Sequence, residues 1–239
     1  MAYSFSSVVR YSECDERAQL SIPAMINYLQ DCSTFQSEML GHGVDYLAEN
    51  HFAWIIAAWD IEVLRLPHLT EPIVTTTWCY GLTTTNASRN FTITTPDGEQ
   101  LVRANSLWLV FDTDRLRPIR IPEAEKVYLS DDELLDMPPM KRKIRLTGEG
   151  TELSPIVVTE QHLDTNHHVN NGQYIAFADR IIRQQDEEFA TRRINVQYKS
   201  MARLGDVIVP KLHVVDGGYA VDLVDRCDTT FAIVSMKCR

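Results

Sequence analysis

The residues best suited to chemistry lie in one short stretch, His162 to Tyr174, which reads HLDTNHHVNNGQY. Asp164, Asn166 and His168 alternate within it, and alternate side chains of an extended chain point to the same face. A carboxylate, an amide and an imidazole would then converge on one point. Such a set, placed next to a helix N-terminus, can activate a water and stabilise an oxyanion.

A helix is predicted directly after this motif, from about Asn171 to Gln184. Its apolar residues recur at spacings of three and four, as in an amphipathic helix: Tyr174, Ile175, Phe177, Ala178, Ile181 and Ile182. Asn170 or Asn171 is the predicted N-cap. The backbone N–H groups from Val169 to Asn171 are expected to face the oxyanion, so Asn171 is also a predicted substrate-binding residue.

Two other interpretations of the motif stay open at this point. Asn and Asp are common at helix starts for capping reasons alone. The potential metal ligands are His162, Asp164, His167 and His168. Adjacent histidines point apart in an extended chain, however, and no H-E-x-x-H or paired C-x-x-C spacing is present. No metal and no cofactor are therefore predicted.

Composition limits the class of protein. The chain has 239 residues, of which 44% are hydrophobic and 23% charged, as in ordinary globular proteins. The longest apolar run, Ala53 to Trp59, is too short for a bilayer span, and no signal peptide is recognisable, so no membrane insertion is expected. Five scattered cysteines without ligand spacing favour reduced thiols and a cytoplasmic location.

The net charge of −10 argues against nucleic-acid binding, which needs a positive surface. Basic residues nevertheless cluster at three places: Arg115, Arg117 and Arg120; Lys141, Arg142, Lys143 and Arg145; Arg192 and Arg193. Such clusters are often only solvated. They would also suit docking of an acidic partner.

The order of predicted elements indicates an α+β fold. A strand from Ser4 to Tyr11 precedes a helix that Ser21 caps, and long strands with a Pro96-Asp97-Gly98 hairpin turn follow. The helix carries an apolar stripe of Met25, Ile26, Leu29, Cys32, Phe35 and Met39. A stripe of this kind forms plain core or, because methionine adapts its shape, lines an apolar tunnel.

The second half repeats the order of the first. A charged, proline-containing section with few predicted strands, from Pro118 to about Gly150, is interpreted as a linker. Beyond it, Asp15 aligns with Asp164, and the segment from Ile61 aligns with the one from Val196. Two copies of one fold are therefore predicted, in residues 1–145 with the linker and residues 146–239.

The candidate catalytic residues occur in only one of the two copies. Where the second copy has Asn166 and His168, the first has Arg17 and Gln19. Catalysis is therefore expected from the second half alone.

The D-x-N-x-H-V-N-N-x-x-Y signature from Asp164 to Tyr174 resembles that of acyl-acyl carrier protein thioesterases, a double-hotdog family of plants and bacteria. Further similar stretches are AWIIAAWDIEVLRLP from Ala53, SRNFTITTPDGEQLVRANSLWLVFD from Ser88 and RPIRIPE from Arg117. The resemblance covers nearly the whole chain. It implies a tandem hotdog, in which two antiparallel sheets are each wrapped round a central helix.

The resemblance also implies an activity. Water would cleave the thioester between a fatty acyl chain and the phosphopantetheine arm of acyl carrier protein, without a cofactor. Asp164, Asn166 and His168 match the catalytic acid, amide and imidazole of the family. The first hotdog would hold the acyl chain, beside the helix that carries Met25, Leu29, Cys32 and Met39.

One position departs from the family pattern. A glutamate usually follows the equivalent of Tyr198 by a few residues, but this chain has Met201 there, and Ala202 next to it. Two alternatives therefore stay open: a non-catalytic protein that binds acyl groups or acyl carriers, and a thioesterase for acyl-coenzyme A. Further dimerisation to a homodimer is open as well.

Overall fold

The computed structural model describes residues 1–140 and 142–238, which divide into two units. The first contains residues 1–57 and 61–140, and the second contains residues 58–60 together with the described residues from 142 onward. Each unit has one long helix packed on an antiparallel sheet. The predicted α+β class and the tandem arrangement are confirmed.

The first unit has a sheet ordered β1-β3-β4-β5-β2, with β6 paired to β5. Its strands in chain order are β1 (Tyr3–Val8), β2 (Phe52–Val63), β3 (Pro72–Leu82), β4 (Ala87–Thr94), β5 (Gln100–Asp112) and β6 (Arg117–Ile119). Its helices are α1 (Ile22–Met39) and α2 (Val44–Glu49). The β4–β5 hairpin turns at Gly98, whose φ of 92° is readily adopted only by glycine.

Helix α1 begins as predicted and packs on β1 and β3. The Ser21 hydroxyl accepts the N–H of Ala24, and Pro23 lies in the first turn, where a missing N–H is harmless. The predicted apolar stripe is wrong at its C-terminal end, because Phe35 is 43% exposed and Met39 56%. Successive turns of the helix instead place Gln36, 1% exposed, on the buried face.

The predicted linker is wrong in its first part. Residues Arg117–Ile119 form β6, and a 3₁₀ turn, Glu123–Tyr128, buries Glu125 and Tyr128 in the first unit. Glu125 accepts hydrogen bonds from His42 Nδ1 at 2.8 Å and from Trp54 Nε1 at 2.7 Å. The charged residues of this section suggested an exposed linker. The carboxylate of Glu125 is instead buried and hydrogen-bonded inside the first unit.

The second unit has a sheet ordered β9-β12-β11-β10-β7, with β8 paired to β10. Its helix is α3 (Asn171–Gln185), which packs on β11 and β12. Its strands in chain order are β7 (Thr151–Glu152), β8 (Ile156–Val157), β9 (Arg193–Tyr198), β10 (Val207–Val215), β11 (Gly218–Val224) and β12 (Thr230–Lys237).

The predicted internal repeat is visible in the backbone hydrogen bonds. Thr70 N–H donates to Val9 C=O in the first unit, and Gly205 N–H donates to Val158 C=O at the aligned place in the second. Both donors have positive φ, 67° at Thr70 and 84° at Gly205. Corresponding strands pair in the same register too, since Val8 lies opposite Pro72 and Val157 lies opposite Val207.

In the described part of the chain, no helix combines the length and apolar character needed to cross a membrane. The five cysteines are all free thiols, and of these Cys32 and Cys79 are buried.

Candidate active site

The loop that carries the motif is closed by its two ends. Leu163 and Val169 form an antiparallel bridge, and Asp164 N–H donates to His168 C=O at 2.8 Å. Between these ends the chain turns, and His167 N–H donates back to Asp164 C=O at 3.1 Å. Asp164 and His168 therefore lie side by side at the base of the loop.

This geometry corrects the prediction of an extended motif. His167 has a φ of 59°, so the segment turns instead of alternating. The carboxylate of Asp164 bends into the loop, where its Oδ1 accepts the N–H of Asn166 at 2.8 Å and the N–H of His168 at 3.4 Å. Asn166 is exposed at the turn, and His168 is half-buried.

The first unit contains the same loop without the chemical residues. Asp15 Oδ1 accepts the N–H groups of Arg17 at 2.9 Å and Gln19 at 3.1 Å, and Ala18 has a φ of 56°. The aspartate therefore has a structural role in both copies. What distinguishes the second loop is the side chains of Asn166 and His168, where the first has Arg17 and Gln19.

Helix α3 begins immediately after the loop. Asn170 is the N-cap, since its Oδ1 accepts Gly172 N–H at 2.8 Å, which confirms one of the two predicted caps. The predicted oxyanion donors were wrong for Val169, whose N–H donates to Ala202 C=O, and for Asn170, whose N–H donates to His162 C=O. Within residues 1–140 and 142–238, no acceptor is found for the N–H of Asn171.

The electrostatic surroundings favour the neutral form of His168. Burial lowers the pKa of its imidazole below the ordinary value of 6.5, and the positive charge of Arg203 lowers it further. Asp164 acts in the opposite direction but does not reverse the shift. A neutral imidazole beside the helix start is able to accept a proton from water near neutral pH.

A turn after β9 approaches the same loop. Ala202 N–H donates to the hydroxyl of Tyr174 at 2.9 Å, and the hydroxyl of Tyr198 donates to Asn171 C=O at 2.9 Å. Two tyrosines thus tie this turn to α3. Met201, at the position of the missing glutamate, is 37% exposed.

His162 has a structural role. Its Nδ1 accepts the N–H of Thr159 at 3.0 Å, and its ring packs edge-on against Phe177 with the centroids 5.1 Å apart. Among the described residues, no group of three or more His, Cys, Asp or Glu side chains is arranged to hold a metal ion.

The residues predicted to bind the acyl chain lie in the first unit. Met25, Leu29 and Cys32 are fully buried on the face of α1 that packs on the sheet. The Cys32 thiol donates to Thr75 C=O at 3.5 Å, and burial raises its pKa to about 12, so it remains a thiol. Their role in binding the acyl chain stays a prediction.

The sequence prediction missed the role of Tyr174, which it treated only as one apolar helix residue. Comparison of the two copies contained a signal for this role of Tyr174. The first copy has Met25 and Pro67 where the second has Tyr174 and Ala202. A proline has no N–H, so the first copy needs no hydroxyl to accept one.

Both halves of the chain match a known family. Residues 2–127 match the acyl-ACP thioesterase N-terminal domain, and residues 148–236 match the acyl-ACP thioesterase C-terminal domain. The chain therefore belongs to the acyl-ACP thioesterase family.

Known proteins of similar sequence and structure agree with this assignment. Oleoyl-acyl carrier protein thioesterase 2 of Arabidopsis thaliana is 23% identical over 87% of this chain, which spans only 61% of that protein's length. An acyl-ACP thioesterase from Bacteroides thetaiotaomicron has the same fold, with a TM-score of 0.88 at 19% identity, and the match covers 99% of this chain and 97% of that one. The 12:0-ACP thioesterase from Umbellularia californica gives 0.85 at 18% identity, with 99% and 96% covered.

Proposed function

We propose that this protein hydrolyses the thioester of fatty acyl-acyl carrier protein and releases the free fatty acid, a reaction that ends chain elongation in fatty acid synthesis. The observation that carries the proposal is the loop from Leu163 to Val169. In this loop the carboxylate of Asp164 accepts the backbone N–H of His168, and its charge acts on the imidazole of His168, just before the start of α3. Family membership supplies the substrate class.

In the proposed reaction, His168 accepts a proton from a water molecule as the water attacks the thioester carbonyl. The N–H of Asn171 at the helix start, which has no acceptor among the described residues, stabilises the oxyanion. Asp164 holds the loop and offsets the charge on the imidazolium. Asn166 orients the substrate or the water. When the oxyanion collapses, the carbon–sulfur bond breaks and the imidazolium returns its proton to the departing thiolate.

Met201 leaves this site without the usual glutamate, since neither Met201 nor Ala202 can transfer a proton. In this proposal His168 is then the residue that activates the water. We therefore propose that this protein hydrolyses thioesters more slowly than a family member that has the glutamate. The missing glutamate also makes a non-catalytic acyl-binding protein the chief alternative.

The partner in this proposal is acyl carrier protein. Arg115, Arg117 and Arg120 are exposed in the first unit and would suit its acidic surface. Of the second basic cluster, Lys141 lies outside the described residues. The five free cysteines support a cytoplasmic setting.

The test is hydrolysis of acyl-carrier and acyl-coenzyme A thioesters with chains of four to eighteen carbons, followed by release of free thiol. Turnover of carrier thioesters is expected, with a maximum at one chain length. Turnover of coenzyme A esters alone would show that the substrate is acyl-coenzyme A and not acyl carrier protein. Tight binding of acyl thioesters without any turnover would show that the protein is a non-catalytic acyl-binding protein.

A further inference from the structure

The buried face of α1 ends in a polar pair that the proposed chemistry does not use. Met25, Leu29, Cys32 and Gln36 follow one another at successive turns, and each is at most 1% exposed. Beside Gln36 lies Arg89 of β4, which donates to the side-chain oxygen of Gln36. The predicted acyl-binding stripe therefore leads to a guanidinium.

Arg89 is a buried cation whose contacts with Gln36 and Tyr128 are contacts with neutral groups. It is 6% exposed, and no carboxylate pairs with it within residues 1–140 and 142–238. Its guanidinium carbon lies 5.3 Å from the ring centroid of Tyr128, and its hydrogen-bond partner is Gln36. A guanidinium has five N–H donors, and buried charges are normally paired.

Gln36 is held so that its oxygen points to Arg89. Its amide nitrogen donates to Met1 C=O at 3.1 Å, which fixes which end of the amide faces the guanidinium. A neutral amide satisfies one donor but does not neutralise the charge. The charge of Arg89 therefore has no opposite charge beside it in the part of the chain that the structure describes.

A second polar atom on the inner face of the sheet also lacks a partner. The hydroxyl of Thr75 on β3 is buried, and none of the described residues bonds to it. Thr75 lies beside Cys32, whose thiol donates to its carbonyl. A buried polar group without a partner destabilises a fold by about 1–3 kcal/mol, so this side of the sheet is not purely apolar.

We propose that this protein accepts acyl chains that carry an oxygen at the far end, as a hydroxyl or a carboxylate, and that Arg89 binds that oxygen. The inference rests on the proposed function, because it assumes that the chain lies along α1. From Met25 to Gln36 the helix rises by about 16 Å, the reach of a medium-length acyl chain. A carboxylate at that point would form the paired, charge-assisted hydrogen bonds that guanidinium groups favour.

The test compares three thioesters of equal carbon number, ending in a methyl, a hydroxyl or a carboxylate. The variants are Arg89→Met and Gln36→Leu, with Arg103→Met as control, because Arg103 of β5 pairs with Glu62 and is not fully buried. The wild type is expected to prefer an oxygenated chain by about tenfold or more in kcat/KM. Arg89→Met should remove that preference, Gln36→Leu should weaken it, and Arg103→Met should retain it.

A binding measurement keeps this inference separate from the proposed function. The free dicarboxylic acid should raise the Tm of the wild type more than the monocarboxylic acid of equal length, and Arg89→Met or the milder Arg89→Lys should lose the difference. Preference for methyl-ended chains in both assays would overturn the inference and leave the thioesterase intact. If no thioester is turned over but the dicarboxylic acid still binds through Arg89, the proposed function fails alone.

Discussion

Asp164 illustrates how one residue can combine a structural with a chemical role. Its Oδ1 accepts two backbone N–H groups, as Asp15 does in a loop that lacks the histidine. Truncation to alanine would therefore collapse the loop and remove the charge together. A substitution that retains the acceptor separates the two roles.

Asp164→Asn should keep the loop, because the amide oxygen can still accept both N–H groups. It should lower kcat/KM by about tenfold to a hundredfold if the charge supports the imidazolium. Steady-state kinetics with a carrier thioester would measure this, and Tm would report on the loop. Asp15→Asn is the matched control and should leave the activity unchanged. Full activity of Asp164→Asn would remove the carboxylate from the mechanism.

The lowered pKa of His168 leads to a prediction about pH. A general base works in its neutral form, so the rate should rise with pH through a pKa that lies below 6.5 and should be level at neutral pH. Arg203→Gln removes a charge that lowers this pKa, so the acidic limb should move to higher pH. The profile of kcat/KM against pH measures the shift, with Arg226→Gln as control. An acidic limb that stays in place would argue against His168 as the base.

Met201 offers a gain-of-function test. Met201→Glu should raise kcat by about tenfold or more if the missing carboxylate limits water activation. Leu66 is its counterpart in the first copy, so Leu66→Glu controls for the added charge. Burst and steady-state measurements on one carrier thioester would separate chemistry from product release. An unchanged kcat in Met201→Glu would mean that His168 alone suffices.

At the scale of elements, the contact between the motif loop and the turn after β9 recurs with different chemistry. Val169 N–H donates to Ala202 C=O at 2.9 Å, and Leu20 N–H donates to Pro67 C=O at 2.8 Å. Only the second copy adds a hydroxyl, from Tyr174, to accept the N–H of residue 202. Tyr174 therefore stabilises the turn that carries Met201.

Tyr174→Phe should lower the free energy of unfolding by about 1–3 kcal/mol, because it leaves the buried N–H of Ala202 without an acceptor. Ala202→Pro copies Pro67 and removes that N–H, so Tyr174→Phe should cost less in the Ala202→Pro background. Denaturant unfolding of the four proteins in this cycle measures the coupling. Equal losses in both backgrounds would show that the hydroxyl does not serve Ala202.

The elements most accessible from sequence were those with strong local signals. Helix α3 follows from apolar periodicity, and a glycine marks the turn at Gly98. The turn within the motif was not predictable, because no residue type requires the φ of 59° at His167. It depends on the Leu163–Val169 bridge, which joins residues outside the motif's alternation.

The candidate site, too, could be predicted only where it depends on residue types and not on tertiary contacts. Side chains with titratable groups are visible in the sequence, so Asp164 and His168 could be proposed as catalytic residues. The donors and acceptors of the backbone depend on tertiary contacts, so the loss of the Val169 and Asn170 N–H groups to other acceptors was not visible. Likewise, burial of Glu125 depends on His42 and Trp54, which are distant in sequence.

At the scale of the whole molecule, duplication allows the two halves to take different tasks. We propose that the second provides the chemistry and the first the acyl-binding face and the basic docking surface. Arg117 and Arg120 are exposed, and an acidic carrier protein would be attracted to them over about 10 Å at moderate ionic strength.

Arg117→Glu combined with Arg120→Glu should raise KM for carrier thioesters by about tenfold and leave KM for pantetheine thioesters unchanged, because only the protein carrier contacts this surface. Arg226→Glu, an exposed site in the second unit, is the control. Added salt should weaken carrier binding in the wild type and have little effect in the double variant. An equal rise in KM for both substrates would contradict the docking role.

The most direct test of the account compares His168→Ala with Gln19→Ala. These positions correspond in the two loops, so the substitutions disturb similar backbone, but only one removes an imidazole. With a fatty acyl-carrier thioester, His168→Ala should lose at least about a hundredfold in kcat, whereas Gln19→Ala should retain wild-type turnover. Retained turnover in His168→Ala, or an equal loss in both variants, would contradict a thioesterase site in the second half of the chain.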